Sequence, residues 1–277
     1  MTSFHSLLAA STGTPLLLPG AHDALSARMI EATGFAAYGI GGSALSATQL
    51  ALPDIGLQSF GEYRDAVGRI MEGSALPVMV DGENGFGDAK AVTRTVRTFE
   101  RMGVGGLALE DLTFPPQLGR PPSVISRKDM AAKLKAALSA RTGRDLFLIG
   151  RTDAAYAVNL EEALARVAEF ERLGVDAVLV TGLADLDAYR RLRDAVRVPI
   201  LAVVVPGSPW FAPSVEELRQ VGIEAALYPA AILSRMLTAM HEGLASIRPL
   251  HEVPAHKTSL PGLLGVAAWT EIDKRSE

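Results

Sequence analysis

The sequence predicts an α/β protein, a closed (β/α)8 barrel of the TIM type. Short apolar runs alternate with amphipathic segments along almost the whole chain. Those runs are continuous in Val, Ile, Leu and Ala, as expected of parallel strands buried on both faces. Eight such strand–helix units fit in roughly 230 residues, the size of one barrel.

In order, the strand-like runs are Pro15–Pro19, Phe35–Gly41, Pro77–Asp81, Gly106–Glu110, Leu146–Arg151, Asp176–Thr181, Pro199–Val205 and Ile223–Tyr228. Between them lie helix-period segments at Asp23–Thr33, Phe60–Glu72, Ala89–Met102, Arg127–Arg141, Leu160–Leu173, Leu186–Ala195 and Ser214–Val221. Four of these meet Gly34, Gly103, Gly174 or Gly222, the residue that suits the left-handed end of a helix. A doubly wound open sheet is the rival arrangement. Its Gly-rich dinucleotide fingerprint is missing, because the first strand meets Pro19-Gly20-Ala21-His22. One connection is long: Leu112–Ser126 is too rich in proline for a helix and follows two acids, which predicts a lid. Residues 1–248 are expected to form the single barrel domain and 249–277 a C-terminal tail, usable as an oligomer arm.

Composition narrows the function. The chain has 277 residues, 48% of them hydrophobic, and a mean hydropathy of +0.21, values of a protein with a well-filled core. A net charge of -4 and a pI near 5.8 give no field that would favour nucleic acid or an anionic membrane. The absence of cysteine excludes disulfides, thiolate metal sites and thiol nucleophiles. No secretory signal follows Met1 and no apolar run is long enough to span a bilayer, so a cytoplasmic location is expected.

The most informative stretch is Val78-Met79-Val80-Asp81-Gly82-Glu83-Asn84-Gly85-Phe86-Gly87-Asp88, where a buried strand ends in acids and glycines. Gly106–Glu110 repeats the pattern by running into Asp111. In a barrel the C-terminal strand ends share one mouth, which here collects Gly41, Gly42, Ser43, Asp54, Asp81, Glu83, Glu110, Arg151, Thr181 and Tyr228. Asp81, Glu83 and Glu110, with Asp54 nearby, have the oxygen chemistry to hold one Mg²⁺ directly and through water. Arg151 offers a planar fork for a substrate carboxylate. Gly41, Gly42 and Ser43 offer N–H groups and a hydroxyl to an anion. Structural alternatives stand beside each reading: Asp81 and Glu110 as partners of Arg151, Asp54 as a turn residue, Arg151 held by Asp153, Gly41-Gly42 as a turn, and Tyr228 packed on Pro229. His22, His241, His251 and His256 read as structural or surface residues.

Taken together, these segments resemble the isocitrate lyase/phosphoenolpyruvate mutase superfamily. The resemblance rests on Pro19–Ala27, Gly41–Ser46, Leu52–Leu57, Asp81–Gly87, Leu109-Glu110-Asp111 and Gly150–Ala154, in order from about residue 5 to 245. It implies a (β/α)8 barrel whose last helix is exchanged between subunits of a homodimer or homotetramer. It also implies Mg²⁺ (with Mn²⁺ as a substitute) and a small 2-oxo or 2-hydroxy carboxylate substrate. By the resemblance Asp81 binds the metal directly and Asp54, Glu83 and Glu110 assist through water, while Arg151 and the Gly41-Gly42-Ser43 backbone hold the substrate.

The lid departs from the superfamily's patterns. Lyases carry Lys-Arg-Cys-Gly-His where this chain has Pro116-Gln117-Leu118-Gly119-Arg120, and phosphonate-forming mutases carry two lysines replaced here by Leu112 and Pro116. The loop looks most like the oxaloacetate decarboxylase branch, with Arg120 at its end as a further substrate contact. That branch has a Tyr on the seventh strand and a His on the eighth; this chain has Val203-Val204-Val205-Pro206 and Tyr228-Pro229, and Glu83 in place of another His. The late proton donor is expected to be either water or Tyr228, which could also serve as a substrate ligand. The resemblance thus points to a Mg²⁺-dependent C–C lyase of decarboxylase type acting on an oxaloacetate-like 2-oxo dicarboxylate. The alternatives are a C–P bond enzyme, a cysteine-free lyase of 2-hydroxy dicarboxylates, and a non-catalytic binding relative.

Overall fold

The computed structural model describes residues 3–11, 13–116, 118, 120–143, 145–205, 207, 211–248 and 258–275. The elements run α1 (Phe4–Ala10), β1 (Leu16–Pro19), α2 (Ala24–Ala32), β2 (Tyr38–Ile40), α3 (Gly42–Leu45), α4 (Phe60–Met71), β3 (Val78–Asp81), α5 (Ala89–Met102) and β4 (Gly106–Glu110). They continue with α6 (Arg127–Ala140), β5 (Phe147–Thr152), α7 (Ala154–Ala157), α8 (Leu160–Leu173), β6 (Ala177–Val180), α9 (Leu186–Ala195) and β7 (Ile200–Val203). Last come α10 (Val215–Gln220), β8 (Ala225–Tyr228), α11 (Ala231–Ile247), α12 (Leu260–Leu263) and α13 (Val266–Arg275).

The eight strands pair in parallel in the order β1-β8-β7-β6-β5-β4-β3-β2, and a bridge between Gly20 and Gly39 brings the two ends together. This is the expected (β/α)8 barrel. Side chains alternate between two cores. Leu16, Leu18, Met79, Ala108, Phe147, Ile149, Leu179, Leu201 and Leu227 fill the inside. The bottom is closed by buried Phe4 of α1, whose ring lies 6.3 Å from that of Phe147. The opposite-facing residues, among them Ile40, Val80, Leu107, Leu148 and Val178, pack under the helices.

The helices start where the sequence supplies a cap. Asp23, Ser59, Asp88, Ser126, Asn159, Asp185 and Ser214 each accept a hydrogen bond from a first-turn N–H, which satisfies a donor the helix leaves open. α5 and α8 end on Gly103 and Gly174 in the left-handed conformation, as predicted. The structure adds two short helical turns at the mouth. α3 runs on as a π-turn over Ser46–Leu50, and α7 follows β5 directly. Four or five residues are too few to carry a periodic signal.

α11 buries only Leu233 of its seventeen residues, while Met240, Leu244 and Ile247 are exposed. Beside it a groove of 440 Å³ opens between α2 and β1, lined by Leu17, Met29, Ile30, Phe35, Tyr228 and Ile232. Among the described residues no helix is long and apolar enough to cross a membrane.

Candidate active site

β3, β4 and β5 deliver Asp81, Glu110 and Arg151 side by side to the mouth. Glu110 and Arg151 are partners in the β4–β5 register. Arg151 Nη1 lies 2.7 Å from Asp81 Oδ2 and 2.9 Å from Glu110 Oε2, and Nη2 lies 3.0 Å from Asp153 Oδ1. Asp153 is fully buried and also accepts from the Thr181 hydroxyl. The guanidinium is therefore engaged by three acids of its own chain. The open fork expected for a substrate carboxylate is absent in this arrangement, because parallel neighbouring strands place those acids within its reach. Its Nε is buried without a hydrogen-bond partner.

Asp54 and Glu83 complete the acid set. Ser43 Oγ donates to Asp54 Oδ2 at 2.8 Å. Glu83 sits in a tight turn with φ of 51°, and its carboxylate lies against Gly42. A β-carbon on Gly42 would stand 1.6 Å from Glu83 Oε1 and 3.5 Å from Asp54 Oδ2, so only glycine leaves room there. Gly41 precedes α3 as its cap residue. Gly42 and Ser43 thus face the acids of this chain, whereas Gly41 faces Pro229.

Burial raises the proton affinity of all four carboxylates. For Glu83 burial comes first, followed by repulsion from Asp54, Asp81 and Glu110, and the group is pushed well above the usual carboxylate range. For Glu110 and Asp81 burial outweighs the opposing attraction of Arg151. For Asp54 burial outweighs the Ser43 hydrogen bond, with Asp81 adding to the rise. Such a crowd of acids around one guanidinium is neutralised either by protons or by a further cation.

The donor set fits a hard cation held mainly through water. Among the described residues, no three His, Cys, Asp or Glu side chains converge as a ready-made metal cage. An arrangement with one direct carboxylate and several waters needs none, and that is the habit of Mg²⁺. A small cavity lined by Asp54, Glu83, Gln58, Tyr63 and the lid residue Phe114 adjoins the acids. Gln58 Nε2 is buried there without a partner.

A second buried network stands behind the first. Asp111, on the outward side of Glu110, accepts from Thr152 Oγ1 at 2.6 Å and from the Asp153 amide at 3.0 Å. Arg166 of α8 lies 2.9 Å from Asp111 and 2.8 Å from Glu162, which also pairs with Arg127. This network fixes the chain on both sides of Asp153.

Tyr228 is not at the mouth. Leu227 points into the barrel, so its neighbour Tyr228 points out, into the groove with Leu17 and Ile232. Burial alone raises its proton affinity, with no site acid contributing. Its expected role as a proton donor is therefore withdrawn. His22 is buried beneath α11, its Nε2 3.3 Å from Met236 Sδ, and burial lowers its affinity for a proton. Arg120 is exposed in the lid. Gln117, Gly119, Pro206, His251 and His256 lie outside the described residues.

Sequence reading missed Tyr63 and Tyr156. Tyr63 Oη donates to the Asp81 carbonyl at 2.6 Å, holding the end of β3 from α4. Tyr156 of α7 hydrogen-bonds Asp153, and its ring covers Gly182 at the end of β6. Both lie on helices, whereas the pattern drew its candidates from strand ends and the loops after them.

The profile of the phosphoenolpyruvate phosphomutase family matches residues 4–248. The chain belongs to this family. Its relatives include an oxaloacetate decarboxylase of Bradyrhizobium sp., 35% identical over 86% of this chain and 82% of that protein. A 2-methylisocitrate lyase of Shewanella oneidensis is 33% identical over 80% of this chain and 76% of that protein. Among solved structures, oxaloacetate acetylhydrolase in complex with the inhibitor 3,3-difluorooxalacetate superposes with a TM-score of 0.82. It is 27% identical and the match covers 97% of this chain and 94% of that one. The family member described here is accordingly an enzyme of the lyase class.

Proposed function

We propose that this enzyme is a divalent-metal-dependent C–C lyase that decarboxylates a small, oxaloacetate-like 2-oxo dicarboxylate through an enolate. The observation that carries the reading is the surplus of buried carboxylates around Arg151 at the barrel mouth. Asp81, with Asp54, Glu83 and Glu110 through water, would hold Mg²⁺ or Mn²⁺. When bound, the ion supplies the positive charge that stabilises an enolate oxygen. Arg151 would then orient a substrate carboxylate with the N–H groups that Asp81, Glu110 and Asp153 leave unused, with Ser43 and the Gly41-Gly42 backbone on its other side and Arg120 reaching in from the lid. Loss of CO₂ needs no nucleophile, and a proton from solvent suffices to quench the enolate. A chain with no cysteine can do this chemistry.

Turnover of oxaloacetate with Mg²⁺ and with EDTA tests the reading: metal-dependent pyruvate formation is expected, and absent or metal-independent turnover at high enzyme concentration overturns it. Phosphonopyruvate followed by ³¹P NMR is the control for C–P cleavage, which the loss of both lid lysines disfavours. We also propose a homodimer or homotetramer in which α11 is exchanged, supported by its uncovered face beside an apolar groove. Light scattering on the eluted protein tests that mass.

A further inference from the structure

In the turn that carries Asp81 and Glu83, each backbone carbonyl from Asp81 to Gly85 has a partner. Gly82 O accepts from Gly85 N and Glu83 O from Glu110 N, both at 2.9 Å. The other three carbonyls are met by side chains from three successive helices. Tyr63 of α4 donates to Asp81 O at 2.6 Å, Lys133 of α6 to Asn84 O at 2.8 Å, and Thr95 of α5 to Gly85 O at 3.2 Å. Of these three donors only Lys133 carries charge.

The turn needs that grip. Glu83 and Phe86 take left-handed backbone angles, φ 51° and 60°, which side-chain-bearing residues rarely adopt. The Asn84 side chain is already spent on the Phe86 amide, at 2.8 Å. Removing Lys133 would leave the carbonyl of buried Asn84 without a partner at the centre of the strained segment. Glu83 is the neighbouring residue, and its carboxylate has no slack where it lies against Gly42.

We propose that Lys133 is a positioning residue of the acid site, its ammonium fixing the Asn84 carbonyl so that the turn holds Glu83 beside Asp54. The ammonium lies close enough to Glu110 for the two charges to attract, so it also offsets part of the buried negative charge. Both effects favour a cation site assembled before the cation arrives. The inference rests on the metal-site reading above, and its test separates the two.

The test uses the full chain with Lys133→Met, Lys133→Arg and Lys133→Gln, the last serving if Lys133→Met does not fold. Amide hydrogen exchange is followed without metal, and Mn²⁺ is titrated by calorimetry. For Lys133→Met, exchange in residues 82–87 is expected to quicken with the strands unchanged, and the Mn²⁺ Kd to rise about tenfold, the usual effect of losing a residue behind a metal site. Lys133→Arg, which keeps charge and donors, should restore both. Unchanged exchange overturns the proposal whatever the metal does. Faster exchange with an unchanged Mn²⁺ Kd reduces Lys133 to ordinary structural support and overturns it as well. If the unsubstituted chain binds no Mn²⁺, the metal reading itself falls, and Lys133 is left with structural support of the turn, which overturns the proposal too.

Discussion

Glu110 and Arg151 face each other across β4 and β5, and their side chains meet at 2.9 Å with Glu110 only 3% exposed. The same Arg151 nitrogen holds Asp81, and the second terminal nitrogen holds the fully buried Asp153. Replacing Arg151 by Met would leave buried Glu110 and Asp153 and partly buried Asp81 without their cation. We expect a loss of about 3 to 5 kcal/mol of stability, measured by urea unfolding, as for other buried charges stripped of a partner. Arg151→Lys should recover only part of it, since one ammonium cannot serve three carboxylates in a fork. Full recovery by lysine would show that charge alone matters there.

Gly42→Ala tests the packing of Glu83. The added methyl claims the space of Glu83 Oε1, and that carboxylate must swing away. Overpacking of this kind costs about 1 to 3 kcal/mol, a loss that urea unfolding should show. Mn²⁺ affinity is expected to fall about tenfold, with kcat/KM falling alongside it, as when a metal site loses one orienting contact. An unchanged affinity in a folded variant would remove Glu83 from the cation site.

The barrel and the acids were legible because burial on both faces leaves continuous apolar runs, and because those runs end abruptly at Asp81, Glu110 and Arg151. The inward or outward phase of each residue was not. Ala225-Ala226-Leu227-Tyr228 is apolar throughout, so nothing in it says that Leu227 turns in and Tyr228 out. The contacts that shape the site were also hidden, since Lys133 meets Asn84 across 49 residues of sequence, with α5 and β4 between them. For Arg151 the sequence left two readings open, a fork for substrate and a partner of Asp81, Glu110 and Asp153, and strand register supplies the second.

Tyr228→Phe tests that phase. The hydroxyl lies in the outer groove and none of the site acids acts on it. Its removal should leave kcat and KM within about twofold, the small change expected when no transition-state contact is lost. A kcat loss of about a hundredfold, typical of a missing general acid, would return Tyr228 to the mouth. If α11 and the groove form a subunit contact, the variant should instead show any change in the mass of the assembly.

Glu162 predicts how acid weakens the fold. Its hydrogen bonds to Arg127 and Arg166 hold the carboxyl down at about 2 against an ordinary 4.5. A depressed folded value means that the unfolded chain takes up the proton first as pH falls. The contribution of Glu162 is thus complete above the ordinary carboxylate range and is lost as pH drops from about 4.5 towards 2. Asp54, Asp81, Glu83 and Glu110, all shifted upward, act in the opposite sense and lose stability as pH rises past the unfolded value. Only a difference between variants isolates one group from the other. Glu162→Gln should be less stable than the unsubstituted chain by about 1 kcal/mol at pH 6, a modest figure because the pair is partly solvated. That gap should narrow steadily as pH falls to 3, read from urea unfolding at each pH. A gap that stays constant would mean that Glu162 acts through packing, and that its charge contributes nothing to holding Arg166 against Asp111.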